Sequence, residues 1–110
     1  LPKDPDCPPC GKTPAAMPAA ELRNKFARKD EFILLDVRER HEFDEKHIPG
    51  AVLIPPATLA ANKQHLQRGV HIIVYCRSGG RSAHATEMLR KAGFAKVTNL
   101  KGGILAWEKL

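Results

Sequence analysis

Cys76 stands at the end of an apolar run, Ile72-Ile73-Val74-Tyr75, and opens a loop of arginine, serine and glycine: Arg77, Ser78, Gly79, Gly80, Arg81 and Ser82. A thiol in such a setting becomes a nucleophile once ionised, because the thiolate is the reactive form. The loop favours that anion in several ways. Gly79 and Gly80 let the backbone turn where a Cβ would obstruct it, so successive N–H groups can form a concave nest around the sulfur. Arg77 and Arg81 add full positive charges. A helix following the loop would aim its unpaired N–H groups and the positive end of its dipole at the same point. The competing account is a buried structural cysteine, a common fate of this residue. Packing alone, however, gives no reason for paired glycines and arginines directly after it.

The elements that must position this loop follow from the hydrophobic pattern. Ile72 to Tyr75 are β-branched or aromatic and flanked by turn-prone residues, which predicts a strand buried on both faces and hence a parallel sheet. After the loop, Ser82 is expected to cap a helix running through Ala92. Ala85, Met88, Leu89 and Ala92 lie on one side of it, and Gly93 ends it. Cys76 is then placed at the carboxyl end of a strand, where open α/β sheets bind their ligands. Phe32 to Leu35 predict a second buried strand ending at Asp36, whose carboxylate shares that sheet end if the strands are parallel. Asp36 is expected to orient the active loop, accepting its N–H groups or pairing with an arginine. The competing account is an aspartate that only closes its own turn.

Elsewhere the chain alternates helix and strand. Pro18 suits a first helical turn, with Ala19, Leu22 and Phe26 on one face before Asp30. Glu39, Glu42 and Glu45 suggest an exposed helical turn with a solvated face. His47-Ile48-Pro49-Gly50 reads as a turn into a short strand at Val52 to Ile54, with His47 a structural hydrogen-bonder. Thr58 to Gln67 predict a helix with Leu59 and Leu66 inward. Val97, Asn99 and Leu100 suggest a last strand, and Gly102-Gly103 a tight turn. Ile104 to Lys109 form a closing helix in which Trp107 is a core or lid residue. His65, His71 and His84 have no ligand spacing. The whole predicts an α/β sandwich around a parallel sheet of about five strands with helices on both faces.

Composition bounds the function. The 110 residues suit one domain. Its basic residues, spread from Lys3 to Lys109, give a formal net charge of +6 without a long block or aromatic interleaving, which argues against a nucleic-acid partner. For Arg77 and Arg81 the charge is read as raising the local concentration of anionic donors or an acidic protein partner. Lys101 could equally belong to a solvated surface. No run reaches the roughly 20 apolar residues of a membrane span, and no leader resembles a signal peptide. The chain opens on Leu1, which suggests a piece of something longer. Three cysteines do not make a disulfide framework, so a reducing cytoplasm is expected.

Leu1 to Pro18 is rich in proline and lacks periodicity, so residues 1–17 are read as a linker and 18–110 as the compact domain. Cys7 and Cys10 within that linker have the spacing of half a zinc site, but a structural zinc takes four ligands and no second pair is present. A thioredoxin-like redox pair is disfavoured, since no strand precedes them and no long helix follows.

The Cys76 to Ser82 loop resembles the active-site loop of rhodanese-domain sulfurtransferases. Leu35-Asp36-Val37-Arg38 with Glu42-Phe43 is similar to that family's first signature, His47-Ile48-Pro49-Gly50-Ala51 continues it, and Leu100-Lys101-Gly102-Gly103 with Trp107 is similar to the second. The resemblance covers about residues 17 to 110. It implies a persulfide on Cys76, loaded by a sulfane-sulfur donor such as thiosulfate or a protein persulfide and passed to a nucleophile, with no cofactor for the domain. The same fold houses dual-specificity phosphatases, whose loops place five residues between cysteine and arginine. Here four separate Cys76 from Arg81, and Ser82 takes the phosphatase arginine's place, which suits a sulfur atom better than a phosphate. A non-catalytic docking module is the remaining alternative, disfavoured by the intact nucleophile. Asp4 to Gly11 also resembles the second cysteine pair of ubiquitin-activating-type adenylyltransferases, some of which carry a C-terminal rhodanese domain. That likeness implies a ubiquitin-like sulfur-carrier protein and a cysteine desulfurase as partners, molybdopterin, thiamine or tRNA thiolation as pathways, and a zinc completed by the longer parent.

Overall fold

The structure, a computed structural model, describes residues 16–62, 66 and 69–110. Ten elements follow one another: β1 (Ala16–Met17), α1 (Ala19–Arg28), β2 (Phe32–Asp36), α2 (Arg40–Glu45), β3 (Val52–Leu53), α3 (Pro56–Asn62), β4 (His71–Tyr75), α4 (Gly80–Lys91), β5 (Val97–Leu100) and α5 (Gly103–Glu108). The strands form one five-stranded sheet in the order β1-β5-β4-β2-β3. Every pairing in it is parallel.

β4 is central because its residues are apolar on both sides. Ile72, Val74 and Cys76 enter one core with Leu59 of α3 and Ala85 and Leu89 of α4. Ile73 and Tyr75 enter the other with Leu22 of α1 and Ile104 of α5. Such double burial is why the strand reads as a continuous hydrophobic run rather than an alternating one. α2 has no buried residue and lies outside both cores. Trp107 is half-buried and meets Phe26 edge-on at a centroid distance of 5.6 Å, which packs α5 on α1 and makes it a core residue.

Boundaries shift in instructive places. Ala16 and Met17 pair with Asn99 and Leu100, and Met17 is buried, so among the described residues the sheet reaches back to Ala16, ahead of the expected boundary at Pro18. A two-residue strand carries no periodicity, and only its pairing with β5 defines it. The helix after Cys76 starts at Gly80, with Gly79 as N-cap at φ 113°. Ser82 is therefore not the cap but lies within the first turn, fully buried. α3 starts earlier than expected, at Pro56, whose fixed φ suits a first helical position, and it is described through Asn62. Cys7, Cys10 and His65 lie outside the described residues. Among the described residues no helix is long and apolar enough to cross a membrane.

Asp36 ends β2 as expected, but its partner differs. Its carboxylate accepts the Arg38 N–H at 2.9 Å and the Arg38 guanidinium at 2.8 to 3.1 Å, and both residues are buried. Arg38 also donates to Lys46 O at 2.6 Å and lies 5.6 Å from the centre of the Tyr75 ring. Tyr75 in turn accepts the Ile48 N–H at 3.1 Å. Burial pushes the Tyr75 hydroxyl up, and the Asp36 carboxylate adds to that against the Ile48 N–H bond. Asp36 thus closes its own turn and anchors the segment before β3, because Arg38 is two residues away whereas the loop amides turn toward sulfur. Removing one partner of a buried ion pair leaves the other uncompensated. Arg38→Met is accordingly expected to lower unfolding free energy by about 3 to 5 kcal/mol, read as a lower denaturant midpoint at unchanged slope.

Candidate active site

Cys76 follows directly on β4 and is 1% exposed, its sulfur lying under the loop it opens. The sulfur accepts hydrogen bonds from Gly79 N at 3.1 Å, Ser82 N at 3.4 Å and Ser82 Oγ at 3.4 Å. These donors converge because the carbonyls of the same loop are occupied elsewhere. Cys76 O accepts Ile104 N at 2.9 Å, and Arg77 O accepts Leu105 N at 3.2 Å, so the first turn of α5 holds both carbonyls away from the sulfur. That approach requires glycine at 103: its φ is +59°, and a Cβ there would lie 2.4 Å from Cys76 O. Gly79, at φ +113°, supplies the left-handed turn that presents its own N–H to sulfur.

Burial pushes the Cys76 thiol up, but the bonds from the Ser82 hydroxyl and from the Ser82, Gly79 and Ser78 N–H groups outweigh it. The thiol is held below its ordinary value. Ser82 is fixed in turn by Asn99 Oδ1 and by Thr86, whose hydroxyl donates to Ser82 O at 2.8 Å.

The loop cations divide into separate roles. Arg81 donates both guanidinium arms to Glu42, at 2.9 and 3.0 Å, tying the loop to α2. The bond to Arg81 holds the Glu42 carboxyl well below the usual carboxylate range, at about 2. Glu42 also accepts Glu39 N at 3.0 Å, closing a capping box at the start of α2. The expectation that Glu42 belongs to a merely solvated face is therefore corrected: it holds Arg81, the cation expected to attract anionic donors. Arg77 is exposed and forms no ion pair among the described residues. It lines a cleft of about 440 Å³ together with Arg38, Glu42, Ile104 and Leu105, across which Lys46 and Glu108 pair at 3.0 Å. Lys101 is exposed after β5, does not line that cleft, and gives its backbone N–H to Met17 O at 2.8 Å. His47 Nδ1 lies 2.8 Å from Phe43 O, with its ring stacked on Phe43 at 3.8 Å, as a structural histidine.

Glu42 and Asn99 are the site residues that sequence reading passed over. Nothing local to Glu42 reveals a partner 39 positions away. Asn99 did carry a signal, a polar side chain in an otherwise apolar strand, since buried polar groups need partners. The arrangement offers amides and one hydroxyl to a sulfur-centred anion. A tetrahedral phosphate would look for a bidentate arginine, but the Arg81 fork is bound to Glu42. Among the described residues no cluster of three or more histidine, cysteine or carboxylate side chains could hold a metal ion.

The family profile described as a rhodanese-like domain matches residues 18–110. The chain belongs to the rhodanese-like domain family. It is 38% identical over 91 residues to a protein of Mycobacterium tuberculosis named as a probable adenylyltransferase/sulfurtransferase, MoeZ, covering 81% of this chain and 23% of that one. A sulfurtransferase of Allochromatium vinosum is 32% identical over 88 residues, covering 80% of this chain and 82% of that protein. Among solved structures, a rhodanese-related protein of Thermoplasma volcanium matches with a TM-score of 0.79 at 30% identity, covering 87% of this chain and 92% of the other. The chain thus spans less than a quarter of its MoeZ relative and most of the other two. Sulfur transfer is the class of chemistry these likenesses support.

The rhodanese-like loop yields two expectations. Ser82→Ala removes a donor to the sulfur, so the midpoint of Cys76 alkylation against pH, followed by peptide mass spectrometry, should rise. The Glu42 carboxyl, depressed when folded, stabilises the fold above its ordinary value of 4.5, and that contribution is lost as pH falls toward about 2. Glu42→Gln should therefore make stability less dependent on pH across this acid window, with Arg81→Ala behaving alike and losing activity to similar degrees at low and high salt.

Proposed function

We propose that Cys76 carries a persulfide and transfers its outer sulfur to a nucleophilic acceptor. The thiolate attacks the sulfane sulfur of thiosulfate or of a protein persulfide. The donor's S–S bond breaks as the Cys76 S–S bond forms, and sulfite or a donor thiolate leaves with the electron pair. The acceptor nucleophile then attacks the outer sulfur, and Cys76 departs as the thiolate that the loop stabilises. No oxidant or reductant is consumed. The observation that carries this reading is the convergence of Gly79 N, Ser82 N and Ser82 Oγ on one sulfur. Those donors favour an anion there in each resting state. Arg77, exposed on the loop directly after Cys76, is suited to attract an anionic donor.

The protein acceptor we favour is instead an electrophile, a ubiquitin-like sulfur-carrier protein whose C-terminal carboxylate has been activated as an acyl-adenylate. The persulfide would attack the acyl carbon, AMP would leave, and reductive cleavage of the acyl disulfide by a second thiol would release the thiocarboxylate. The likeness to MoeZ, whose name joins adenylyltransferase and sulfurtransferase, supports this reading, as does the likeness of Asp4 to Gly11 to an adenylyltransferase cysteine pair. A cysteine desulfurase is the matching protein donor. A proline-rich tether would keep the persulfide at high effective concentration beside the adenylate.

Donor treatment should add one sulfur atom to the peptide containing Cys76. Cys76→Ala should abolish transfer from thiosulfate to cyanide while the fold persists. Transfer by that variant would sink the mechanism, and hydrolysis of phosphate esters without sulfur transfer would favour the phosphatase. Formation of carrier thiocarboxylate from persulfidated protein, adenylated carrier and added thiol tests the acceptor separately.

A further inference from the structure

Ser82 Oγ lies between two groups that both accept a proton in the present geometry, Cys76 Sγ at 3.4 Å and Asn99 Oδ1, yet a hydroxyl has one proton to give. On its other side, Asn99 Nδ2 is 3.4 Å from Gly79 O. The line Cys76–Ser82–Asn99–Gly79 therefore closes back on the loop whose N–H groups hold the sulfur. Ser82 is fully buried and Asn99 half-buried, so this conflict is resolved within the protein.

We infer that Asn99 is a positioning residue for sulfur transfer, whose side-chain amide turns to let the Ser82 hydroxyl serve both protonation states of Cys76. With Oδ1 toward Ser82, the hydroxyl donates to Asn99 and Nδ2 reaches toward Gly79 O. The sulfur then keeps its proton and can donate it to Ser82 Oγ, so every group in the line is matched to a neutral thiol. A half-turn about the last side-chain bond exchanges the nearly isosteric oxygen and nitrogen. Nδ2 then donates to Ser82 Oγ, which frees the hydroxyl proton for the thiolate. The Ser82 end of the line is now matched to the anion that attacks donor sulfur and that departs when the acceptor is served, while Asn99 gives up its bond to Gly79 O. No bond between heavy atoms changes, and the thiol proton leaves to solvent.

An aliphatic side chain at 99 could pack in β5 but could not serve either arrangement. The charged groups around the loop are Arg77 and Arg81 on the loop itself, Glu42 of α2 bonded to Arg81, the Asp36–Arg38 pair after β2 and Lys101 after β5. None of them is altered by a change at Asn99. An effect of that change on the sulfur must accordingly run through Ser82 or through Gly79.

The inference builds on the reading of Cys76 as a sulfur carrier, and its test uses alkylation of the thiolate, which needs no sulfur donor. Failure of persulfide transfer and failure of the Asn99 role are thereby distinguishable. Rates of iodoacetamide reaction at Cys76 are measured against pH by peptide mass spectrometry for the parent protein, Asn99→Ala, Ser82→Ala and the double variant. Asn99→Ala should shift the midpoint and change the rate of reaction near neutral pH by roughly threefold to tenfold, the scale of one hydrogen bond. In the Ser82→Ala background the same change should have no further effect. Additive shifts in the double variant, or an unshifted midpoint in Asn99→Ala, would overturn the inference. Should Asn99→Ala fail to fold, the side-chain NH₂ resonances of Asn99 in the parent protein decide the same question. They should titrate with the Cys76 midpoint and cease to do so in Ser82→Ala, whereas signals that titrate in both, or in neither, would refute it.

Discussion

The site depends on keeping carbonyl oxygens away from the Cys76 sulfur. A seven-residue loop carries as many acceptors as donors, and a loop left to itself would present both to Cys76. Here the first turn of α5 takes the carbonyls of Cys76 and Arg77, through Ile104 N and Leu105 N. The N–H groups are left to face inward. The glycine at 103 is demanded by this contact, since any side chain would meet the carbonyl oxygens it is meant to hold. The active-site loop and the C-terminal helix are therefore one structural unit, although more than twenty residues separate them.

Electrostatics around the sulfur is set more by dipoles than by full charges. Burial of Cys76 works against its ionisation, and short-range N–H and O–H bonds overcome that cost. Arg81 lies beside this cradle, but its guanidinium is bound on two arms by Glu42, so its charge is paired and it ties the loop to α2. Such a site is less sensitive to ionic strength than one that relies on exposed cations, because dipoles in contact with the sulfur are not screened as distant charges are. Arg77 is the loop cation left facing the cleft, apart from the N–H and O–H donors that hold the sulfur.

The parallel sheet makes this division possible. β2, β4 and β5 lie side by side and all end at the same edge, so the loops after them can contact one another. Asp36 and Arg38 lock the loop after β2, Cys76 opens the loop after β4, and Gly102 and Gly103 turn the chain after β5. Asn99 reaches Ser82 from the neighbouring strand by the same parallel register that pairs it with Val74. Chemistry is thus assembled from three consecutive strand ends, each contributing a backbone or side-chain contact that the others lack.

Much of this was legible in the amino-acid order. Continuous apolar runs predicted the doubly buried strands β2 and β4, because burial on both faces removes the need for alternation. The glycines and arginines after Cys76 predicted an anion-holding turn, because only glycine accepts the left-handed backbone required at Gly79. Those features depend on neighbours in sequence, and a sequence displays its neighbours. What the tertiary structure alone decided are the partnerships between distant residues. Arg81 proved to be bound by Glu42, Asp36 to serve Arg38 instead of the active loop, and Met17 to extend the sheet through a strand too short to show a period. Each is a hydrogen bond or pairing whose energy depends on distance in space. Charge, length and local pattern are silent about that distance until the chain has folded.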